Sequence, residues 1–69
     1  MTEPSDEQVI ADAMLLGVRF ERTFHGYARC TLPDGREFYN FRLSGTFARA
    51  ALNELGYEYR DGVLVKRAV

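Results

Sequence analysis

Apolar positions recur along this chain with two different periods, and the changes of period divide it into seven elements. Val9, Ile10, Ala13, Met14 and Gly17 follow the i, i+1, i+4, i+5, i+8 spacing of one helical stripe. Ser5 precedes the stripe with Gln8 three residues later, the S-x-x-Q form of a capping box. Asp6 and Glu7 fill a first turn in which the helix dipole favours negative charge. The pattern predicts a helix over 6–16, ended by Gly17, with residues 1–4 as a loose N-terminus.

From Val18 the period drops to two. The stretches VRFERTF (18–24), YARCTL (27–32) and REFYNFRL (36–43) are rich in aromatic and β-branched residues, and His25-Gly26 and Pro33-Asp34-Gly35 separate them. The second separator reads as a type I turn followed by a bulge, so the three stretches predict an antiparallel meander. Ser44 caps a second amphipathic segment over 46–55. There Phe47, Ala48, Ala51, Leu52 and Leu55 form the apolar stripe and Gly56 the stop. YEYR and VLVK then flank Asp61-Gly62, a preferred pair for a type I′ hairpin, in a register that sets Tyr59 opposite Leu64 and Tyr57 opposite Lys66. The expected fold is α+β, a single small domain over 1–69 of order α-β-β-β-α-β-β, with the meander packed on two helices.

Alternation assigns the two faces of the meander. Val18, Phe20 and Phe24, then Ala28, Cys30 and Leu32, then Tyr39, Phe41 and Leu43 form the expected core face. Arg19, Glu21, Thr23, Tyr27, Arg29, Thr31, Arg36, Phe38, Asn40 and Arg42 form the other, a basic and aromatic surface with one acid. Such a surface suits docking to a protein patch or to nucleic acid, because arginine and tyrosine are enriched at interface hot spots and arginines neutralise phosphates. Tyr39 has two readings: an interface ring with Arg42 beside it, or a core residue with its hydroxyl at the rim.

Composition narrows the function classes. The chain is 46% hydrophobic and 28% charged with a net charge of −1, a globular balance that argues against direct nucleic-acid binding. Residues 1–12 hold Glu3, Asp6, Glu7 and Asp12 and no basic group, so this end offers a second, acidic surface for a basic partner. One cysteine, Cys30, excludes an intrachain disulfide framework. With the single histidine, His25, it cannot complete a His/Cys zinc site, so no metal or cofactor is expected. Cys30 alternates with core positions and reads as a small buried hydrophobe. His25, in a turn, is the one candidate for acid–base work near neutral pH. No phosphate loop or carboxylate pair is visible, and no run approaches a membrane span or a signal peptide, which predicts a cytoplasmic protein. A domain this small without a staple is expected to borrow core from a second copy, as a homodimer.

Two resemblances extend this reading. The α-β-β-β-α order with Phe24-His25-Gly26 and Gly45-Thr46 resembles the HicA family of small ribonuclease toxins. That family carries a catalytic histidine after the first strand and a second helix opening with Gly-Thr; the Gly-Ser that precedes its histidine is absent here. This resemblance implies RNA binding or cleavage with His25 as general base. In size and style, a 69-residue acidic, arginine-rich domain with candidate exposed aromatics and no catalytic set, the chain also resembles small early proteins of Pseudomonas-type phages. Among these are anti-activators that inhibit LuxR-type quorum-sensing regulators. That resemblance implies a non-enzymatic dimer in the host cytoplasm that binds the DNA-binding region of a host regulator. Tyr39 would be its anchor, with Arg42 and Phe38 flanking and Tyr57 and Tyr59 as secondary contacts.

Overall fold

Ser5 starts the first helix as expected: its Oγ accepts from the Gln8 backbone N–H at 3.1 Å. Only half of the capping box forms, because the Gln8 amide turns down the helix to the Asp12 carboxylate, 2.8 Å away. The computed structural model describes residues 3–23 and 25–67. They form α1 (Asp6–Leu15), β1 (Arg19–Arg22), β2 (Ala28–Thr31), β3 (Glu37–Asn40), α2 (Gly45–Glu54), β4 (Tyr57–Arg60) and β5 (Val63–Lys66). The expected order α-β-β-β-α-β-β is therefore observed, with strands one to three residues shorter at their ends. The placement of Phe24 on the core face lies outside the described residues.

The strands form two antiparallel sheets, β1-β2-β3 and β4-β5. In the smaller one Tyr59 faces Leu64 and Tyr57 faces Lys66, the register expected of a two-residue turn, and Asp61 and Gly62 both take positive φ. In the larger one β1 and β2 place Phe20 beside Cys30, and β2 and β3 place Cys30 beside Phe38.

This last pairing corrects the face assigned to the third strand. The turn Pro33-Asp34-Gly35 is a three-residue loop. Leu32 N–H donates to the Arg36 carbonyl at 2.8 Å, and Gly35 N–H closes the turn onto the Leu32 carbonyl at 2.9 Å. Leu32 therefore lies opposite Arg36, and even-numbered residues of β2 face even-numbered residues of β3. Phe38, not Tyr39 and Phe41, joins Ala28 and Cys30 on the core side. The expected alternation was displaced by one residue, which reverses every side chain of the strand.

The buried cluster joins Val9 and Ala13 of α1, Val18, Ala28, Cys30 and Leu32 of the meander, and Phe47, Ala48, Ala51 and Leu52 of α2. Phe20 meets Phe47 edge to face with ring centroids 6.2 Å apart, tying β1 to α2. The two helices make the broadest contact between elements. A Cβ built on the buried Gly45 would lie 3.1 Å from the Asp6 Cα and overlap the Asp6 carboxyl. The first turn of α1 thus rests directly on the backbone of α2. At the other end Arg67, the residue after β5, donates to the side-chain and backbone oxygens of Asn53 and closes the last turn of α2.

Gly45→Ala tests the helix contact. Ala is the better helix former, yet its methyl would overlap the Asp6 carboxyl and crowd the Asp6 Cα at 3.1 Å, so unfolding in urea should show a loss of about 1–3 kcal/mol, the usual range for overpacking. An unchanged midpoint would mean that the helices can part without cost.

Candidate functional site

The corrected register builds the solvent face of the larger sheet in rows. Arg19, Thr31 and Glu37 form one row, and Glu21, Arg29 and Tyr39 the next. Beyond them Thr23 N–H donates to the Tyr27 carbonyl at 2.7 Å, and the Tyr27 ring lies 5.6 Å from that of Phe41. Tyr27, Tyr39 and Phe41 are 44%, 58% and 79% exposed and line a shallow depression together with Asn40. Three aromatic side chains thus share one open surface, where burial of such rings is the ordinary outcome.

This surface differs from the basic one expected. Arg36 leaves the sheet altogether and pairs with Asp34 at 2.7 Å and Glu54 at 3.0 Å, joining the β2–β3 turn to the end of α2. The Asp34 carboxyl is held below the usual range first by the backbone N–H of Arg36. Arg42 is exposed in the bend after β3, and Phe38 is half-buried on the inner face. The strand rows keep two arginines and two glutamates, so the outer face is close to neutral. Arg29 pairs with Glu21 at 3.1 Å, and first Tyr39, then Glu21, push its guanidinium above the ordinary arginine range. Its Nε is buried without an acceptor.

Tyr57 and Tyr59 fall at a separate place. Both are half-buried on the side of the small sheet that packs on the core. The Tyr59 hydroxyl donates to the Asp12 carboxylate at 2.6 Å, and the Arg49 guanidinium sits 5.0 Å from its ring centroid. Burial, followed by the adjacent Asp12, raises the Tyr59 hydroxyl well above the ordinary tyrosine value. The ring therefore pins the β4–β5 hairpin to α1 and α2.

The acids at the start of the chain divide. Asp12 holds Tyr59 and Gln8 and Asp6 lies against Gly45, whereas Glu7 is exposed and Glu3, paired with Arg49 at 3.1 Å, stays largely in solvent. His25 is exposed in the β1–β2 turn. Cys30 is buried, and burial pushes its thiol up, away from the thiolate that a nucleophile needs. Among the described residues no cluster of three or more His, Cys, Asp or Glu is arranged to hold a metal ion, and no helix is long and apolar enough to cross a membrane. A cleft of about 330 Å³ runs between β3 and α2, lined by Cys30, Phe38, Phe47, Ala50 and Ala51 with Asn53 and Glu54 at its edge.

Comparison with protein-family models, with characterised proteins and with solved structures finds no match to this chain. Of the residues singled out in the sequence, the structure brings Tyr39 onto the open face and sets Phe38, Tyr57 and Tyr59 into packing positions. Tyr27 and Phe41 complete the exposed set, and the length of the β2–β3 turn was the signal that could have placed Phe41 there.

The Tyr59 bond makes an alkaline prediction. Its folded pKa lies above the unfolded value near 10, so its contribution is fully present below about pH 10 and is lost as pH rises through the folded pKa. Stability followed by thermal melts should fall more steeply above about pH 10 in the wild type than in Tyr59→Phe. At pH 7 the variant should be weaker by about 1.5–3 kcal/mol, the range for a hydrogen bond to a charged group.

Proposed function

We propose that this chain is a non-enzymatic binding module that acts by covering a surface of another protein. The observation that carries the reading is the open row of Tyr27, Tyr39 and Phe41 on a nearly neutral sheet face. Tyr39 stands on β3, with Tyr27 and Phe41 just beyond the strand ends, and aromatic and arginine side chains dominate binding energy at protein interfaces. Tyr39 is the anchor, with Phe41 and Tyr27 beside it. Arg42, exposed at the margin, supplies a donor for a carbonyl or carboxylate of the partner. The resemblance to phage anti-activators supplies the partner class: a host transcription regulator of LuxR type, blocked at its DNA-binding region. The open face favours this contact over one through α1, whose acids Asp6 and Asp12 already face neighbours within the fold.

The test uses a purified LuxR-type regulator bound to its operator, followed by fluorescence anisotropy of the DNA. Wild-type protein should displace the DNA. Tyr39→Ala and Phe41→Ala should each weaken displacement roughly thirtyfold, the equivalent of about 2 kcal/mol at a hot spot. Glu7→Lys on α1 should leave it unchanged. Binding should depend weakly on salt, since a steep loss with added salt marks phosphate contacts and would point to nucleic acid instead. If Glu7→Lys abolishes displacement while Tyr39→Ala does not, the aromatic face is not the binding surface.

A further inference from the structure

The edge of the larger sheet carries an inference that does not depend on any outside partner. β3 is an outer strand of the order β1-β2-β3. The bonded pair Leu32 and Arg36 sets the alternation of its hydrogen bonds: Phe38 and Asn40 are committed to β2, while Glu37 and Tyr39 direct their N–H and C=O groups away from the sheet. The open edge stops at Phe41, whose N–H is taken by the Asn40 Oδ1 at 2.8 Å, and at Gly35, whose N–H is taken by the turn. Two residues are left with four unpaired backbone groups.

These four groups match their own copy in one register. With a two-fold axis at Phe38, Glu37 of one chain faces Tyr39 of the other, and each pair exchanges two hydrogen bonds, so every open group is satisfied. An axis at Tyr39 would set Glu37 against Phe41, whose N–H is already occupied, and would leave the Glu37 carbonyl unpaired. An axis at Glu37 would call on the committed N–H of Gly35.

Side chains agree with the first arrangement. On the outer face the Tyr39 hydroxyl, now 3.4 Å from its own Glu37 carboxylate, would lie opposite the Glu37 of a second copy. On the inner face the half-buried Phe38 would meet Phe38 of that copy at the mouth of the cleft between β3 and α2. The exposed helix residues there are Ala50, Asn53 and Glu54, and Ala50 is small enough to let a second α2 approach. The other edge, β1, is blunted by Arg19, Glu21 and Arg22, whereas β3 carries one charge in four residues.

The geometry points to a homodimer in which β3 pairs antiparallel with β3 of a second copy about a two-fold axis at Phe38, forming one six-stranded sheet. Disulfide trapping and sedimentation of the full chain test it. In a Cys30→Ala background, Glu37→Cys and Tyr39→Cys are both exposed positions. Mixed under mild oxidation they should give the 37-to-39 heterodisulfide in at least tenfold excess over either homodisulfide. The wild type should sediment at twice 7.9 kDa. Tyr39→Pro removes an N–H that β2 does not use, and should raise the dimer dissociation constant roughly tenfold or more with its circular dichroism unchanged. A chain that stays monomeric at high micromolar concentration overturns the proposal. So does a dimer in which Tyr39→Cys links to itself, or in which neither cysteine links.

Discussion

One hydrogen bond, from the Leu32 N–H to the Arg36 carbonyl, decides what this molecule shows to its surroundings. A turn one residue shorter or longer would send Phe38 outward and Tyr39 and Phe41 inward. The core would then have to hold a phenol and a second large ring in the space now filled by Phe38 against Cys30 and Phe47. Instead the turn leaves the larger rings outside and commits a single phenylalanine of β3 to the interior. The neutral outer face follows from the same bond, because it sends Arg36 across to Asp34 and Glu54 and away from the sheet.

Around that sheet, α2 organises the remainder. Its first turn is fixed by Ser44, by the close approach of Asp6 to Gly45 and by Phe47 against Phe20, and its end by Arg67 on Asn53. Arg49 on its outer side meets both Glu3 and the Tyr59 ring. Elements far apart in the chain therefore converge on ten helical residues. The exposed ion pairs add little energy individually in water. The burial of Leu52, Ala51 and Ala48 supplies the stabilisation, and the polar contacts choose the orientation.

Much of the fold was legible in the sequence because local signals agreed with one another. The Ser5 and Ser44 caps, the glycines after each helix and the Asp61-Gly62 turn all form as their chemistry suggests, and the β4–β5 register follows from turn length alone. The face of β3 was misjudged because Phe38, Tyr39 and Phe41 are all apolar enough to satisfy either alternation, so hydrophobicity could not decide between them. Counting residues through Pro33-Asp34-Gly35 decides it, since pairing in a ladder is set by loop length and not by side chains. The bond from Tyr59 to Asp12 was beyond reach: it spans 47 residues and depends on how the small hairpin leans on α1. For the same reason the sequence gives no sign that Tyr59 also ties the hairpin to α1.

Cys30 gives the molecule a reporter of its own. It is the single thiol of the chain, without exposed surface behind the cleft between β3 and α2, and its proton is held more tightly than in water. A thiol-specific reagent can reach it only when that junction parts. In the presence of excess reagent, the rate of labelling counts the moments at which the interior is open, without any added probe.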